Sequence, residues 1–222
     1  MIFSVRKITA FLMLTMASSG FVVKETCASS DSQIRFQAQK RVRSLSRKNI
    51  RRIDYIEFIS KIYGYEGYEK LKKNYWTAKM EVVRGDIIKA KDMLEKNMAD
   101  INKSMAAVFG KYSMRSRKVI NDGVIMVSEM HIIAMDSKDY KVRKKYKENR
   151  DRINVAMEHA GLAEKAGKKE RYKEAIKHYR NAKSIALDVI KRLSDEHADE
   201  VMEKYSLDIK DLETEYVDKD SY

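Results

Sequence analysis

The stretch YKEAIKHYRNAKSIALDVIKRL, residues 172–193, places Tyr172, Ala175, Tyr179, Ala182, Ala186, Val189 and Leu193 in alternating steps of three and four. Such spacing marks a helix with one continuous apolar seam. The stretch before it keeps the same phase through Val142, Tyr146, Asn149, Ile153, Ala156, Ala160 and Ala163, with Asn149 its single polar member. Gly167-Lys168-Lys169 is a short connection, so the two helices are expected to form an antiparallel hairpin. Alanines on one helix facing tyrosines on the other suit close packing.

The rest of the chain reads the same way. Proline is absent and glycine occurs only eight times in 222 residues, whereas β-rich folds need frequent turn residues. From Gln33 to Tyr63 no glycine interrupts, and Val42, Leu45, Ile53, Ile56 and Ile59 recur at helical spacing. Gly64 and Gly67 end that helix, and a second runs from about Tyr68 to Arg84. Gly85-Asp86 supplies a left-handed cap and then an N-cap. A third helix carries Ile87, Ala90, Leu94, Met98, Ile101, Met105 and Val108, with Gly110 expected to close it. Val119 to Met135, the most apolar stretch after residue 28, is expected to be a buried central helix, and Asp136-Ser137 to cap the next one. The fold class is therefore all-α, a helical bundle with a long basic N-terminal helix.

Net charge is +13 with a pI near 9.5, values that alone suggest nucleic acid. The first 28 residues argue otherwise. Arg6 and Lys7 precede an apolar run from Ile8 to Val23, and Thr26-Cys27-Ala28 puts small residues around a cut after Ala28. This reads as a cleaved secretory signal, because about 16 apolar residues fall short of the roughly 20 that span a bilayer. Lys24-Glu25-Thr26 before Cys27 does not suit lipid attachment. A chain cut there has no cysteine and therefore no disulfide. The expected organisation is a signal peptide over 1–28, a basic helical arm over 29–63, a helical bundle over 64–194 and an acidic segment over 195–222. That last segment holds eleven carboxylates against three lysines up to residue 220, and reads as a frayed tail or a final helix followed by one.

Two helix pairs look like tetratricopeptide hairpins, a motif that wants small residues where helices cross. Ala78, Gly85-Asp86, Ile87, Ala90 and Leu94 carry the first match; Leu162-Ala163, Ala166, Tyr172, Ala175, Tyr179 and Ala182 carry the second. Asn102 and Leu187 stand where the repeat often has proline. Ala90 and Ala175 are 85 positions apart, so a regular solenoid is not expected. With the signal segment, Tyr65-Glu66-Gly67-Tyr68-Glu69-Lys70-Leu71 and the Gly85-Asp86 unit also resemble spirochaete periplasmic flagellar-coiling sheath proteins. That resemblance implies binding along a flagellar filament in motility, without cofactors.

No catalytic constellation is legible. His131, His159, His178 and His197 form no HExxH, His197 with Glu200 reads as a solvated acidic face, and no phosphate loop or GxSxG occurs. The expectation is no enzyme, no metal and no cofactor. Tyr63, Tyr65, Tyr68, Tyr75 and Trp76 form the candidate protein-binding surface, since Tyr and Trp dominate interfaces. Packing of the first two helices is the structural alternative. Arg41, Arg43, Arg47 and Arg51 in the basic arm are candidates for docking an acidic protein surface or anionic lipid. The expected partner is a protein, with flagellar filament proteins implied by the resemblance. Self-association through the oppositely charged ends and a membrane surface are the alternatives; a surface-exposed or secreted adhesin is the competing function, and nucleic acid is disfavoured.

Overall fold

In the computed structural model the backbone is described for residues 5–216, and side chains for 31–216 except Glu196. The signal-peptide side chains and residues 217–222 of the acidic segment lie outside the described residues. Among the described residues seven helices follow one another: α1 (Val5–Tyr63), α2 (Tyr68–Val83), α3 (Ile87–Asp136), α4 (Tyr140–Lys168), α5 (Tyr172–Leu193), α6 (Ala198–Glu203) and α7 (Ser206–Glu213). No strand occurs among the described residues, so the protein is an all-α helical bundle. Nor is any described helix long and apolar enough to cross a membrane.

The chain forms two compact units, one of residues up to Ile50 with Lys73–Met98, the other of Arg51–Lys72 with Ala99–Tyr222. In the first, α1 buries Ala38, Val42, Leu45 and Asn49, while Ala78, Ala90 and Leu94 are wholly covered. The Asn49 amide donates to the carbonyls of Leu45 (2.9 Å) and Leu94 (3.3 Å), and receives a bond from Asn97 at 3.0 Å. This buried amide pair joins α1 to α3, because polar groups out of water must find partners. The α2–α3 turn follows the sequence signals. Gly85 adopts φ +83, Asp86 N–H donates to Glu81 O, and Asp86 Oδ1 accepts from Lys89 N–H at 3.0 Å.

The second unit is organised by the α4–α5 hairpin. Ala175, Tyr179, Ala182, Ala186 and Val189 have no exposed surface, and Ile153, Ala156 and Ala163 are buried opposite. Four local expectations are corrected. First, α4 runs through Gly167, and the turn is made further on with Glu170 at φ +57. Gly167 is needed for proximity: a Cβ there would run into Cζ and Cε1 of the Phe109 ring. Second, α3 does not stop at Gly110. Burial continues in register through Ile101, Met105, Val108, Tyr112, Ser116 and Val119. Gly110 faces open space, so its roughly 1 kcal/mol penalty against alanine is too small to end the helix. Third, Val119–Met135 is buried on one face only. Val119, Ile120 and Val127 are covered and Gly123 nests against Ile153 and Ala186, but Ile125, Ile132, Ile133 and Met135 are exposed. The helix start is corrected too: Asp139, which accepts from Lys141 N–H at 2.8 Å, is the N-cap of α4, and Ser137 supports it.

The acidic segment is helical and docked up to Tyr216. After a 3₁₀ turn at Asp195–His197, α6 and α7 pack on α5. Tyr216 closes the segment, with its ring edge-on to Tyr55 at 5.0 Å and its hydroxyl 3.4 Å from Arg51 O.

Candidate functional site

Three features of the described surface and interior could carry function: a buried ionic cluster, an exposed stripe on α2, and an exposed apolar tip between α3 and α4.

The cluster centres on Lys183, which α5 presents on the flank of its apolar seam with no exposed surface. Its ammonium donates to Asp211 Oδ2 (2.7 Å), Asp208 Oδ1 (3.1 Å) and the Tyr63 hydroxyl (2.6 Å), and lies 4.5 Å from the Tyr112 ring centroid. Both aspartates come from the inner face of α7 and are buried. Arg115 Nε donates to both oxygens of Asp208 at 3.0 Å, and Tyr112 OH donates to Asp211 Oδ2 at 2.5 Å. Asp211 Oδ1 is buried and accepts no hydrogen bond; Arg180 Nε is 3.8 Å away. Instead, the Arg180 Nη2 donates to the final carbonyls of α7, at Asp211, Leu212 and Thr214. A cation there satisfies orphan carbonyls and complements the negative helix end.

Burial, and next the charges of Asp211 and Asp208, push the Tyr63 hydroxyl far above the usual phenol range. Burial likewise, then Asp211 and Tyr63, raises Tyr112. Both phenols therefore stay protonated and act as donors. For Arg115, burial is the largest influence and lowers its pKa, but the bond and charge of Asp208 outweigh it and the net shift is upward. An ammonium has three N–H donors, and all three of Lys183 are engaged. These bonds tie α5 to the inner face of α7, so the cluster holds the C-terminal segment in place as a lock.

The aromatic candidates separate. Tyr63 belongs to the lock, and Tyr65 stacks on it with centroids 5.8 Å apart. Tyr68 is half-buried at the start of α2. Tyr75 is buried and supports Trp76 edge-on at 5.2 Å, leaving the indole 55% exposed. Four residues on, Met80 is 52% exposed, and Val83 after three more is 78% exposed. Trp76, Met80 and Val83 thus make one uncovered apolar stripe within the first unit. Arg41 pairs with Glu95 at 3.0 Å; Arg43, Arg47 and Arg51 are exposed. At the α3–α4 turn, Ile132, Ile133, Met135 and Tyr140 are each more than 60% exposed.

Among the histidines, His131 lies against Tyr146, while His159 and His178 face each other across the hairpin at 5.8 Å. His197 Nδ1 is 3.6 Å from Glu200, both exposed. No group of three metal-ligating side chains occurs among the described residues.

Sequence reasoning missed the lock, although a signal was present. Ile176, Lys183 and Ile190 recur every seventh residue beside the apolar seam, so Lys183 interrupts a second buried line. Asp208 and Asp211, three apart, share one helix face but were submerged in a run of acidic residues. No family model, no curated protein and no solved structure matches this chain.

Proposed function

We propose that this chain is an exported, non-catalytic protein-binding component of a periplasmic assembly, with the Trp76–Met80–Val83 face of α2 as its contact surface. The observation that carries the reading is the exposure of those three side chains at helical spacing, with Trp76 braced by the buried ring of Tyr75. Apolar anchors in steps of four and three suit a partner helix, and a pre-positioned indole is the strongest kind of interface anchor. Full engagement of the Lys183 donors supports a structural role for the buried polar residues. The signal reading of residues 1–28 supports export, and the resemblance to flagellar-coiling sheath proteins favours a filament as the setting.

Protease accessibility in intact and permeabilised cells tests the location: a periplasmic protein is cut only after permeabilisation, whereas a surface adhesin is cut at once. Trp76→Asp then tests the surface. It should leave helicity intact and release the protein from its envelope complex on a sucrose gradient; unchanged co-sedimentation would remove α2 as the contact face.

A further inference from the structure

We infer that the α3–α4 tip is a docking site for an anionic lipid surface. Ile132 (68% exposed), Ile133 (63%), Met135 (73%) and Tyr140 (72%) lie within nine residues at one turn. The first three end the most apolar stretch after residue 28, which the fold covers on one face only, and Tyr140 opens α4. Leaving large apolar side chains in water is unfavourable, and a concentrated exposed group of them marks an interaction site.

The arrangement distinguishes lipid from a protein groove. A groove takes one helix face, as the Trp76 stripe offers. Residues 132, 133 and 135 instead point in widely different directions around the end of α3, with only the small Ala134 turned inward. An apolar end surrounded on several sides fits a medium that is apolar in every direction. Its collar is cationic. Between residues 136 and 148 stand Lys138, Lys141, Arg143, Lys144, Lys145 and Lys147, against Asp136, Asp139 and Glu148.

Several of these charges are already engaged, which leaves the rest for a partner. Asp139 caps α4, Lys145 pairs with Asp195, and Lys144 sits 3.9 Å from Glu148. Lys138, Lys141 and Lys147 are exposed and pair with no carboxylate among the described residues. Side chains on a helix lean toward its N-terminus, so cations in the first turns of α4 lean toward the tip. Long cationic stems beside buried apolar groups place their charges at the phosphate level, and Tyr140 suits the same boundary. Apolar insertion and attraction to anionic headgroups reinforce each other, since either alone gives weak binding. This reading does not rest on the α2 contact face.

The test uses the full chain carrying Trp76→Phe and Tyr140→Trp, so that the only indole reports on the tip. Vesicles are phosphatidylcholine alone or with roughly 30 mol% phosphatidylglycerol, an anionic fraction that gives a surface potential of physiological sign. The expected result is a blue-shifted emission, quenched by brominated lipid, on anionic vesicles only and suppressed by about 0.5 M salt. Ile132→Ser with Ile133→Ser should weaken that response at least ~tenfold, since each loses several buried carbons. Lys138→Glu with Lys141→Glu should do the same without touching the apolar residues. Circular dichroism checks the fold, and Met135→Ser replaces the isoleucine pair if helicity falls. Unchanged emission on anionic vesicles would overturn the proposal. So would a response that survives both double substitutions, because binding would then run through the Ile8–Val23 segment or the basic arm. A dimer in buffer that the isoleucine pair abolishes would make the tip a self-interface and equally refute lipid docking.

Discussion

Replacing Lys183 with methionine should release the C-terminal segment. The side chain is fully buried and makes three hydrogen bonds, two of them to buried carboxylates. The two aspartates lose unequally. Asp208 keeps the bidentate Arg115 contact and Tyr63, so it remains compensated. Asp211 keeps only the Tyr112 hydroxyl on Oδ2, with Arg180 3.8 Å from an Oδ1 that accepts nothing. Removing one member of a buried pair costs about 3–5 kcal/mol because the other charge is stranded. One escape caps that cost: α7, eight residues long, can detach and return both carboxylates to water. The expected outcome is therefore local. Amide exchange over 206–213 should accelerate by two to three orders of magnitude, corresponding to about 3–4 kcal/mol, while exchange along α4 and α5 changes little. Adding Asp211→Asn should restore much of the protection, because the stranded charge is gone. If exchange in α7 is unchanged by Lys183→Met, the lock is not what holds the segment.

Ala182→Arg places a charge in the wholly buried α4–α5 seam and should cost about 3–5 kcal/mol in urea unfolding; a smaller loss than 1 kcal/mol would contradict the hairpin packing. Gly110→Ala should stabilise by up to about 1 kcal/mol, because the site is helical and open, whereas Gly167→Ala should destabilise by about 1–3 kcal/mol against the Phe109 ring. Thermal melts of the two variants shifting in the same direction would show that α3 or the turn is misassigned. At Asp122, burial is the largest influence and raises the pKa, but the bonds from Tyr205 and Lys204 outweigh it, so its carboxyl is held below the ordinary aspartate value. A depressed folded value means the anchor is present above the unfolded pKa and is lost as pH falls through the folded one. Asp122→Asn should therefore cost about 1 kcal/mol near neutrality, and the acid-side loss of protection around Lys204 and Tyr205 should be smaller in that variant than in the parent.

The helices were legible because their apolar residues recur at one period and because proline is absent. The middle of the α4–α5 seam was read correctly, with Ala175, Tyr179, Ala182, Ala186 and Val189 all buried as their spacing requires, while Tyr172 and Leu193 at its ends are only half-buried. Glycine was the weak signal, since one symbol serves two different physical needs or none. Gly85 provides a positive φ, Gly167 provides room for a ring, and Gly110 does neither. Charge was the other. A lysine seven residues from two isoleucines looks like surface until its carboxylates are found 25 and 28 positions later. The candidate aromatics were identified as a group, but only three-dimensional packing shows that Tyr75 supports and Trp76 presents.

The contact role of α2 is tested most directly by a photo-crosslinking amino acid at Val83, which is 78% exposed beside Trp76 and Met80. Illumination of living cells should give one discrete adduct of constant mass, and Trp76→Ala in the same chain should abolish it. No adduct, or one that persists equally after Trp76→Ala, would contradict a partner bound at this face.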